Sequence, residues 1–474
     1  MEFHVSLVGR NDLTGEIYRQ LRKAIIVGVL CPGDRLPPSR ELARRLSVSR
    51  TTVTVAYERL AAEGYVSSRV GAGTVVSFGT KAAGSRRTRK LSGVLRPRPV
   101  WDTIGIPRPY DRLPQFSFVT GTPDASLFPH QAWRRLVSRE LRSQGVGDGN
   151  YGDAAGHTAL RRAIARHIAI SRGLQASPDD VTITNGTQQA LDIMARLLLA
   201  PGDRVAVEDP GYHPPARLFR TLGAQVTGVP VDADGLVVEA LPRNTRFVYV
   251  TPSHQYPLGV TMSMPRRQAL LDWARRTNAA IIEDDYDSEF RFGGRPIEPL
   301  YTLDTTGRVV YIGSFSKTML PALRLGFIVT PPSLSAAAHK AKHVMDWHTN
   351  LLLQASLARF IDDGLFARHV RKAGGTYRKR HEMILEILQR DFADVLDVVP
   401  SAAGLHITAT ARRHSAEEIS RIARQALLKD VALHRLSQFG IDAPAPPGLV
   451  LGYGAIATEN IEEGLAHLRD CFGN

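Results

Sequence analysis

Ser314-Phe315-Ser316-Lys317-Thr318-Met319-Leu320-Pro321, with Arg324 and Gly326 close behind, is the stretch from which the rest of this chain can be read. It follows the apolar run Val309-Val310-Tyr311-Ile312, so Lys317 stands just past the end of a candidate buried strand. A lone lysine after a strand is ordinarily a solvated surface group. This one has the hydroxyls of Ser314 and Ser316 before it and the guanidinium of Arg324 after it. A lysine amine condenses with an aldehyde to an imine, while hydroxyls and an arginine suit a phosphate dianion. The pattern fits a cofactor that carries both groups.

Three stretches upstream extend this reading. Ile281-Ile282-Glu283-Asp284-Asp285-Tyr286-Asp287 ends an apolar strand in acids and a phenol. A carboxylate held against a pyridine nitrogen keeps that nitrogen protonated, and a phenol beside it can bond a ring hydroxyl. No histidine or further acid is arranged along this stretch to complete a metal site, so none is expected. Thr184-Asn185-Gly186-Thr187-Gln188 places a glycine turn at a helix start, where the amides of Gly186, Thr187 and Gln188 can cradle a phosphate. Glu208-Asp209-Pro210-Gly211-Tyr212 sets an aromatic ring after a strand, ready to stack on a flat cofactor. Each signal is weak alone. Together, in this order, they are specific.

The surrounding pattern is one of alternating strands and helices. Strands are expected over Val181–Thr184, Arg204–Val207, Phe247–Val250, Ala280–Ile282 and Val309–Ile312, with helices over 187–199 and 265–277 between them. Continuous apolar strands separated by helices predict an α/β body with a mostly parallel sheet covered on both faces. This body is expected to run over residues 111–474.

The first eighty residues follow a different period. Ile17, Leu21, Ala24 and Ile25 mark one helix face. Pro37-Pro38-Ser39 opens a second helix, with Ser39 as its N-cap, and Val53, Ala56, Tyr57 and Leu60 stripe a third. Tyr65 to Ser77 reads as a hairpin through Gly71-Ala72-Gly73. Three helices and a hairpin predict an α+β winged helix-turn-helix over residues 11–79, with the third helix entering a DNA groove. Ser49, Arg50, Thr51 and Thr52 at its start are candidate groove or phosphate contacts. Arg40 is a candidate phosphate contact, and Gly73 permits close approach of the wing tip to the DNA backbone.

Charge separates the two parts. Residues 1–100 hold 18 Lys and Arg against 7 Asp and Glu, whereas the other 374 residues hold 42 against 39. A basic head on a nearly neutral body predicts that the head meets a polyanion. Lys81 to Pro99, with Arg86-Arg87-Thr88-Arg89-Lys90, has too few apolar residues to fold alone, and residues 80–110 are read as a basic flexible linker. The two cysteines, Cys31 and Cys471, exclude a disulfide framework. No apolar run is long enough to span a membrane and the start lacks a secretory pattern, so a cytoplasmic protein is expected.

The head motifs Leu36-Pro37-Pro38-Ser39-Arg40-Glu41-Leu42-Ala43, Val48-Ser49-Arg50-Thr51-Thr52-Val53 and Leu60-Ala61-Ala62-Glu63-Gly64-Tyr65 resemble a GntR-type DNA-binding domain. The body resembles the fold-type I aminotransferases that use pyridoxal 5′-phosphate, with a large and a small subdomain. Tyr151-Gly152-Asp153, Pro252-Ser253-His254-Gln255-Tyr256-Pro257 and Glu283 to Arg291 make the whole chain similar to the MocR subfamily of GntR transcriptional regulators. The resemblance implies that Lys317 carries the Schiff base and that Tyr286 contacts the cofactor's 3-hydroxyl. It further implies that Tyr212 stacks on the ring and that Arg324 and Ser314 hold phosphate. Asp284 or Asp285 would pair with the pyridine nitrogen; the Asp-x-Tyr spacing selects Asp284. In the head, it implies Arg40, Arg50 and Gly73 among the DNA contacts.

Two departures bear on function. Tyr256-Pro257-Leu258-Gly259 stands where many aminotransferases have an asparagine before Pro-Thr-Gly. The segment Leu449-Val450-Leu451-Gly452-Tyr453-Gly454 offers no arginine for a substrate carboxylate, which leaves Arg435 as the candidate. Both suggest relaxed demand for transamination. The expectation is a homodimeric regulator of double-stranded operator DNA that senses a small amino compound or pyridoxal phosphate, its chemistry stopping at imine exchange. The rival is a working aminotransferase with an accessory DNA-binding head.

Overall fold

The computed structural model describes residues 12–69, 73–77, 95–106, 114–142, 150–293 and 298–473, and the chain forms two compact units that part between Pro97 and Arg98. The basic run 86–90 and the turn residues Gly71 and Ala72 lie outside the described residues.

The first unit contains α1 (Leu13–Val27), α2 (Ser39–Leu46) and α3 (Arg50–Ala62), followed by the antiparallel pair β1 (Val66–Arg69) and β2 (Gly73–Val76). Ile17, Leu21 and Ile25 meet Val53, Ala56 and Leu60, with Val66 and Val76 closing the same core from the wing. The 3.6-residue spacing of these positions is what buries one face of each helix. Asp12 caps α1 by accepting from the Gly15 amide (3.0 Å), and Ser49 caps α3 by accepting from the Thr52 amide (3.0 Å). Ser39 is not the cap expected for α2. The carbonyl of Pro38 already receives the Glu41 and Leu42 amides, so the helix begins at Ser39 with Pro38 in the cap position.

The second unit is built on two sheets. Its first part runs through β3 (Phe116–Phe118), α4 (His130–Arg142), α5 (Thr158–Arg172), β4 (Val181–Thr184), α6 (Thr187–Leu198), β5 (Arg204–Asp209) and α7 (His213–Thr221). Then come β6 (Gln225–Asp232), β7 (Gly235–Leu236), β8 (Thr245–Val250), α8 (Met264–Thr277), β9 (Ala280–Asp285), α9 (Leu300–Leu303), β10 (Val309–Ser314) and β11 (Gly326–Val329). The large sheet has the order β4-β11-β10-β9-β8-β5-β6-β7. Strands β10, β9, β8, β5 and β6 are parallel neighbours, while β11 runs antiparallel to β10 and β4. Alternation sorts its two faces. Val205 and Val207 pack with Leu191 and Phe219, whereas Ala206 packs with Leu270 and Trp273 on the other side.

Helices α10 (Pro332–Asp346), α11 (Leu351–Asp362) and α12 (Leu365–Asp391) lead to β12 (Leu396–Val398), β13 (His406–Ala411), α13 (Ala416–Leu428), β14 (Val431–Arg435), β15 (Gly448–Gly452) and α14 (Ile461–Asp470). The small sheet has the order β12-β13-β15-β14-β3, so the strand that opens the unit pairs with one near its end.

Part of the stretch read as linker lies on this unit. Arg98 Nη2 donates to the Thr221 carbonyl (2.7 Å), Pro99–Thr103 forms a 3-10 turn, and Arg217 Nη1 donates to the Gly105 carbonyl (3.0 Å). Among the described residues no helix is long and apolar enough to cross a membrane.

Candidate functional site

The carboxyl ends of the parallel strands, where open α/β sheets place ligands, converge on a cavity of about 350 Å³. Thr187, Gln188, Tyr212, Asp284, Tyr286, Ser314, Lys317 and Arg324 all line it. The sequence-predicted residues are thus brought together from β9, β10, the start of α6 and the turn before α7.

Arg324 adopts a left-handed backbone (φ +50°) and its Nη2 donates to the Asn185 carbonyl (2.7 Å). Gly186, at φ +76°, lies against that guanidinium: a Cβ there would stand 3.0 Å from Nη2. A side chain would fill this cradle, and the positive φ independently favours glycine. The cradle therefore pairs a cation with the start of α6 and with the Ser314 hydroxyl, a donor set suited to a phosphate.

Asp284, which lines the same cavity, is only 3% exposed. Its Oδ2 accepts from Tyr249 Oη (2.8 Å), and its buried Oδ1 has no hydrogen-bond partner among the described residues. Burial pushes its pKa up to about 7, against the lowering effect of the Tyr249 bond. Asp285 points to the opposite face. It accepts from Tyr311 Oη (2.6 Å) and lies 2.8 Å from Arg172 Nε, so period-2 alternation along β9 aims Asp284 alone at the cavity.

Lys317, also in the lining, donates from Nζ to the Gly121 carbonyl (2.6 Å). Burial of the amine lowers its pKa, while Asp287 and Asp284 act in the opposite sense. Gly121 follows β3, so this bond ties the lysine to the small sheet. Tyr212, 38% exposed, meets Tyr256 edge-on at 5.7 Å between ring centroids.

Arg435 does not join this group. Its Nη1 donates to Ser420 Oγ on α13 (2.7 Å), and the neighbouring residue on β14, His434, lines the cavity instead. The alternation of a strand accounts for the difference: adjacent side chains leave β14 on opposite faces. Burial lowers the pKa of His434.

Several lining residues carried no local sequence signal. Thr120 Oγ1 is 2.7 Å from Tyr256 Oη and 3.0 Å from His434 Nδ1. Tyr249 lies within the expected strand Phe247–Val250 and could have been found by pairing that strand with β9; Thr120 and Gly121 could not, because β3 is remote in sequence from everything they touch. His254, Asp287 and His406 offer donor atoms within 4.8 Å of one another. Those atoms already serve the protein: His254 binds Asp287 and Ser401, and His406 Nε2 donates to the Pro257 carbonyl (2.9 Å).

In the first unit, Arg40, Ser49, Arg50 and Thr51 are exposed at the starts of α2 and α3. Arg50 Nε lies 3.4 Å from Ser39 Oγ, which joins the two helix starts. Ser49 and Thr52 are partly engaged by capping, with their hydroxyl oxygens 2.8 Å apart. Gly73 opens β2 at φ +79° with none of the described residues within 4 Å of where a Cβ would stand, so the backbone conformation itself favours glycine there.

Comparison with known proteins agrees with both units. Residues 120–468 match the family described as aminotransferase class I and II, and residues 13–76 match the bacterial regulatory proteins of the gntR family. Over 470 residues the chain is 38% identical to the probable rhizopine catabolism regulatory protein MocR of Rhizobium meliloti, covering 96% of this chain and 93% of that relative. It is 30% identical over 455 residues to the HTH-type pyridoxine biosynthesis transcriptional regulator PdxR of Corynebacterium glutamicum, covering 96% and 95%. Among solved structures, the kynurenine aminotransferase of Pyrococcus horikoshii in complex with PMP superposes with a TM-score of 0.70 at 28% identity, over 76% of this chain and 91% of that one.

Proposed function

The chain belongs to the MocR subfamily of GntR transcriptional regulators, and from that premise we propose a regulator whose first unit binds operator DNA and whose aminotransferase-like body holds pyridoxal 5′-phosphate and answers to an amino compound. One observation carries the reading: a single cavity is lined by Lys317, by a buried carboxylate with a free oxygen and by the arginine of the Gly186 cradle.

The residues present fit this cofactor. When bound, pyridoxal phosphate supplies an aldehyde that condenses with amines and a ring that draws electrons from them. Asp284 Oδ1, buried and partnerless, is available to a protonated ring nitrogen, and Tyr249 holds the other carboxylate oxygen in place. Arg324, Ser314 and the amides of Thr187 and Gln188 would hold the phosphate, with Gly186 leaving room for it. Tyr212 would cover the ring and Tyr286 would reach its hydroxyl. Lys317, with an amine pKa lowered by burial, holds the nucleophile at the centre.

Within the second unit, the cavity has a physical route to the small sheet. The Lys317–Gly121 bond links the cavity to β3 and hence to the small sheet. An effector amine that competed with Lys317 for the cofactor would change how far its amine is free to make that bond, and the regulator would respond to the extent that the two arrangements bind the effector with different affinity. A homodimer reading two half-sites suits both a helix-turn-helix head and a symmetric regulator in a cytoplasmic protein, with the part of the basic stretch 80–110 that precedes Arg98 joining head and body. Arg40, Arg50, Thr51 and the wing at Gly73 are the DNA contacts in this reading.

The test is binding of the purified full chain to DNA fragments it selects from genomic DNA, with and without amino compounds. Lys317→Ala is expected to bind the same fragments but to lose the response to amines. A Lys317→Ala protein that responds like the parent sinks the proposal.

A further inference from the structure

We propose that His254 is a positioning residue for Tyr286: held by Asp287, its imidazole fixes the Tyr286 phenol as a hydrogen-bond donor into the cavity. This rests on the cofactor reading above and adds to it a residue outside the ring, phosphate and lysine contacts.

The argument begins with one nitrogen. His254 Nδ1 lies 3.0 Å from Asp287 Oδ2, 3.3 Å from Oδ1 and 3.1 Å from Tyr286 Oη. A ring nitrogen presents either one proton or one lone pair. A bare Nδ1 would set its lone pair against the Asp287 carboxylate, and both groups are 2% exposed or less, so water cannot relieve that contact. Nδ1 therefore carries the proton and shares it between Asp287 and Tyr286 Oη. The Tyr286 oxygen then accepts from His254, and its own proton cannot return there. Tyr286 lines the cavity with Lys317 and Asp284, and that is where its O–H is left to point. Tyr256, the nearby phenol, is already engaged with Thr120 (2.7 Å).

The surroundings are built to hold this imidazole. Its Nε2 lies 3.2 Å from Ser401 Oγ, whose hydroxyl also lies 3.4 Å from the Ala403 carbonyl. Gly404 and Gly259, at φ +80° and +81°, make the space. A Cβ at Gly404 would stand 2.1 Å from His254 Cε1 and 2.5 Å from Asp287 Oδ2, and one at Gly259 would stand 3.3 Å from Nε2. Among the described residues the other titratable neighbours include His406 on β13, whose ring centroid is 4.7 Å away, and His381 on α12, while Lys317, Asp284 and Tyr453 interact electrostatically with Asp287. His406 has its pKa held well below the ordinary value by burial, so it does not compete for Asp287 as a cation.

The experiment uses the full chain saturated with pyridoxal phosphate and follows its visible absorption against pH. The band reports a proton held between Lys317 Nζ and the ring oxygen. A donor aimed at that oxygen weakens its hold on the proton and lowers the midpoint. His254→Leu is expected to raise the midpoint, corresponding to roughly tenfold tighter proton binding. His254→Asn, which restores an N–H near Nδ1, is expected to return most of the shift. In a Tyr286→Phe background His254→Leu should add nothing. An unchanged midpoint in His254→Leu, or an equal shift with and without the Tyr286 hydroxyl, overturns the inference. Should His254→Leu fail to fold, Asp287→Asn takes its place: a smaller rise that vanishes in Tyr286→Phe supports the assignment, and no rise refutes it. A parent protein that shows no visible band at all defeats the cofactor reading instead, and the inference falls with it.

Discussion

Replacing Asp284 by asparagine should stabilise the cofactor-free protein while weakening its hold on pyridoxal phosphate. The carboxyl is 3% exposed with one oxygen partnerless, and burial raises its pKa from 3.8 to about 7. For an acid with a raised folded pKa, the sign is fixed by linkage. Its contribution to stability is intact below the unfolded pKa and is lost as pH rises through the folded one. Integrated over that interval, the loss approaches about 4 kcal/mol as an upper limit. The asparagine amide would keep an oxygen for Tyr249 without a charge to bury. The assay is thermal or urea unfolding of cofactor-stripped parent and Asp284→Asn proteins from pH 4 to 8. The two should match near pH 4, diverge as pH rises, and differ by a constant amount above pH 7 in favour of the variant. Saturation with pyridoxal phosphate should reverse the order, because a carboxylate paired with a protonated ring nitrogen is no longer uncompensated. A gap independent of pH, or a variant less stable than the parent at pH 8 without cofactor, would refute the reasoning.

Gly186→Ala should lower affinity for pyridoxal phosphate by roughly tenfold or more with the fold retained, since alanine is strained at φ +76° and its Cβ would press on Arg324; equilibrium dialysis with circular dichroism checks both parts. Arg50→Ala should weaken operator binding by about 1–3 kcal/mol if the side chain reads a base, and less if it meets phosphate, measured at two salt concentrations. Arg435→Ala should cost about 1 kcal/mol of stability through its bond to Ser420 and leave the response to amino compounds unchanged; a lost response would return Arg435 to the effector site.

Local chemistry made much of the site legible. Lys317, Asp284 and Gly186 each sit at a strand end or helix start, and those junctions announce themselves through an apolar run broken by polar or glycine residues. The helical period of Ile17, Leu21 and Ile25 against Val53, Ala56 and Leu60 likewise exposed the head. What stayed hidden depends on long-range pairing. Gly121 reaches Lys317 only because β3 crosses to pair with β14. His434 rather than Arg435 faces the cavity because of the face that β14 presents to it, and a single sequence does not state which face that is. Ser39 misses the cap position by one residue because the Pro38 carbonyl takes the amides that a side-chain cap would otherwise share.

The central claim is that chemistry at Lys317 is read out on DNA. The most direct measurement titrates the full chain, loaded with pyridoxal phosphate, with a panel of amino compounds, following the visible absorption, the operator complex and keto-acid formation in the same samples. The account predicts that one compound moves the absorption and the DNA complex over the same concentration range, without keto acid accumulating. Keto acid formed over many turnovers while the DNA complex stays unchanged would contradict it, and would mark the body as a working aminotransferase.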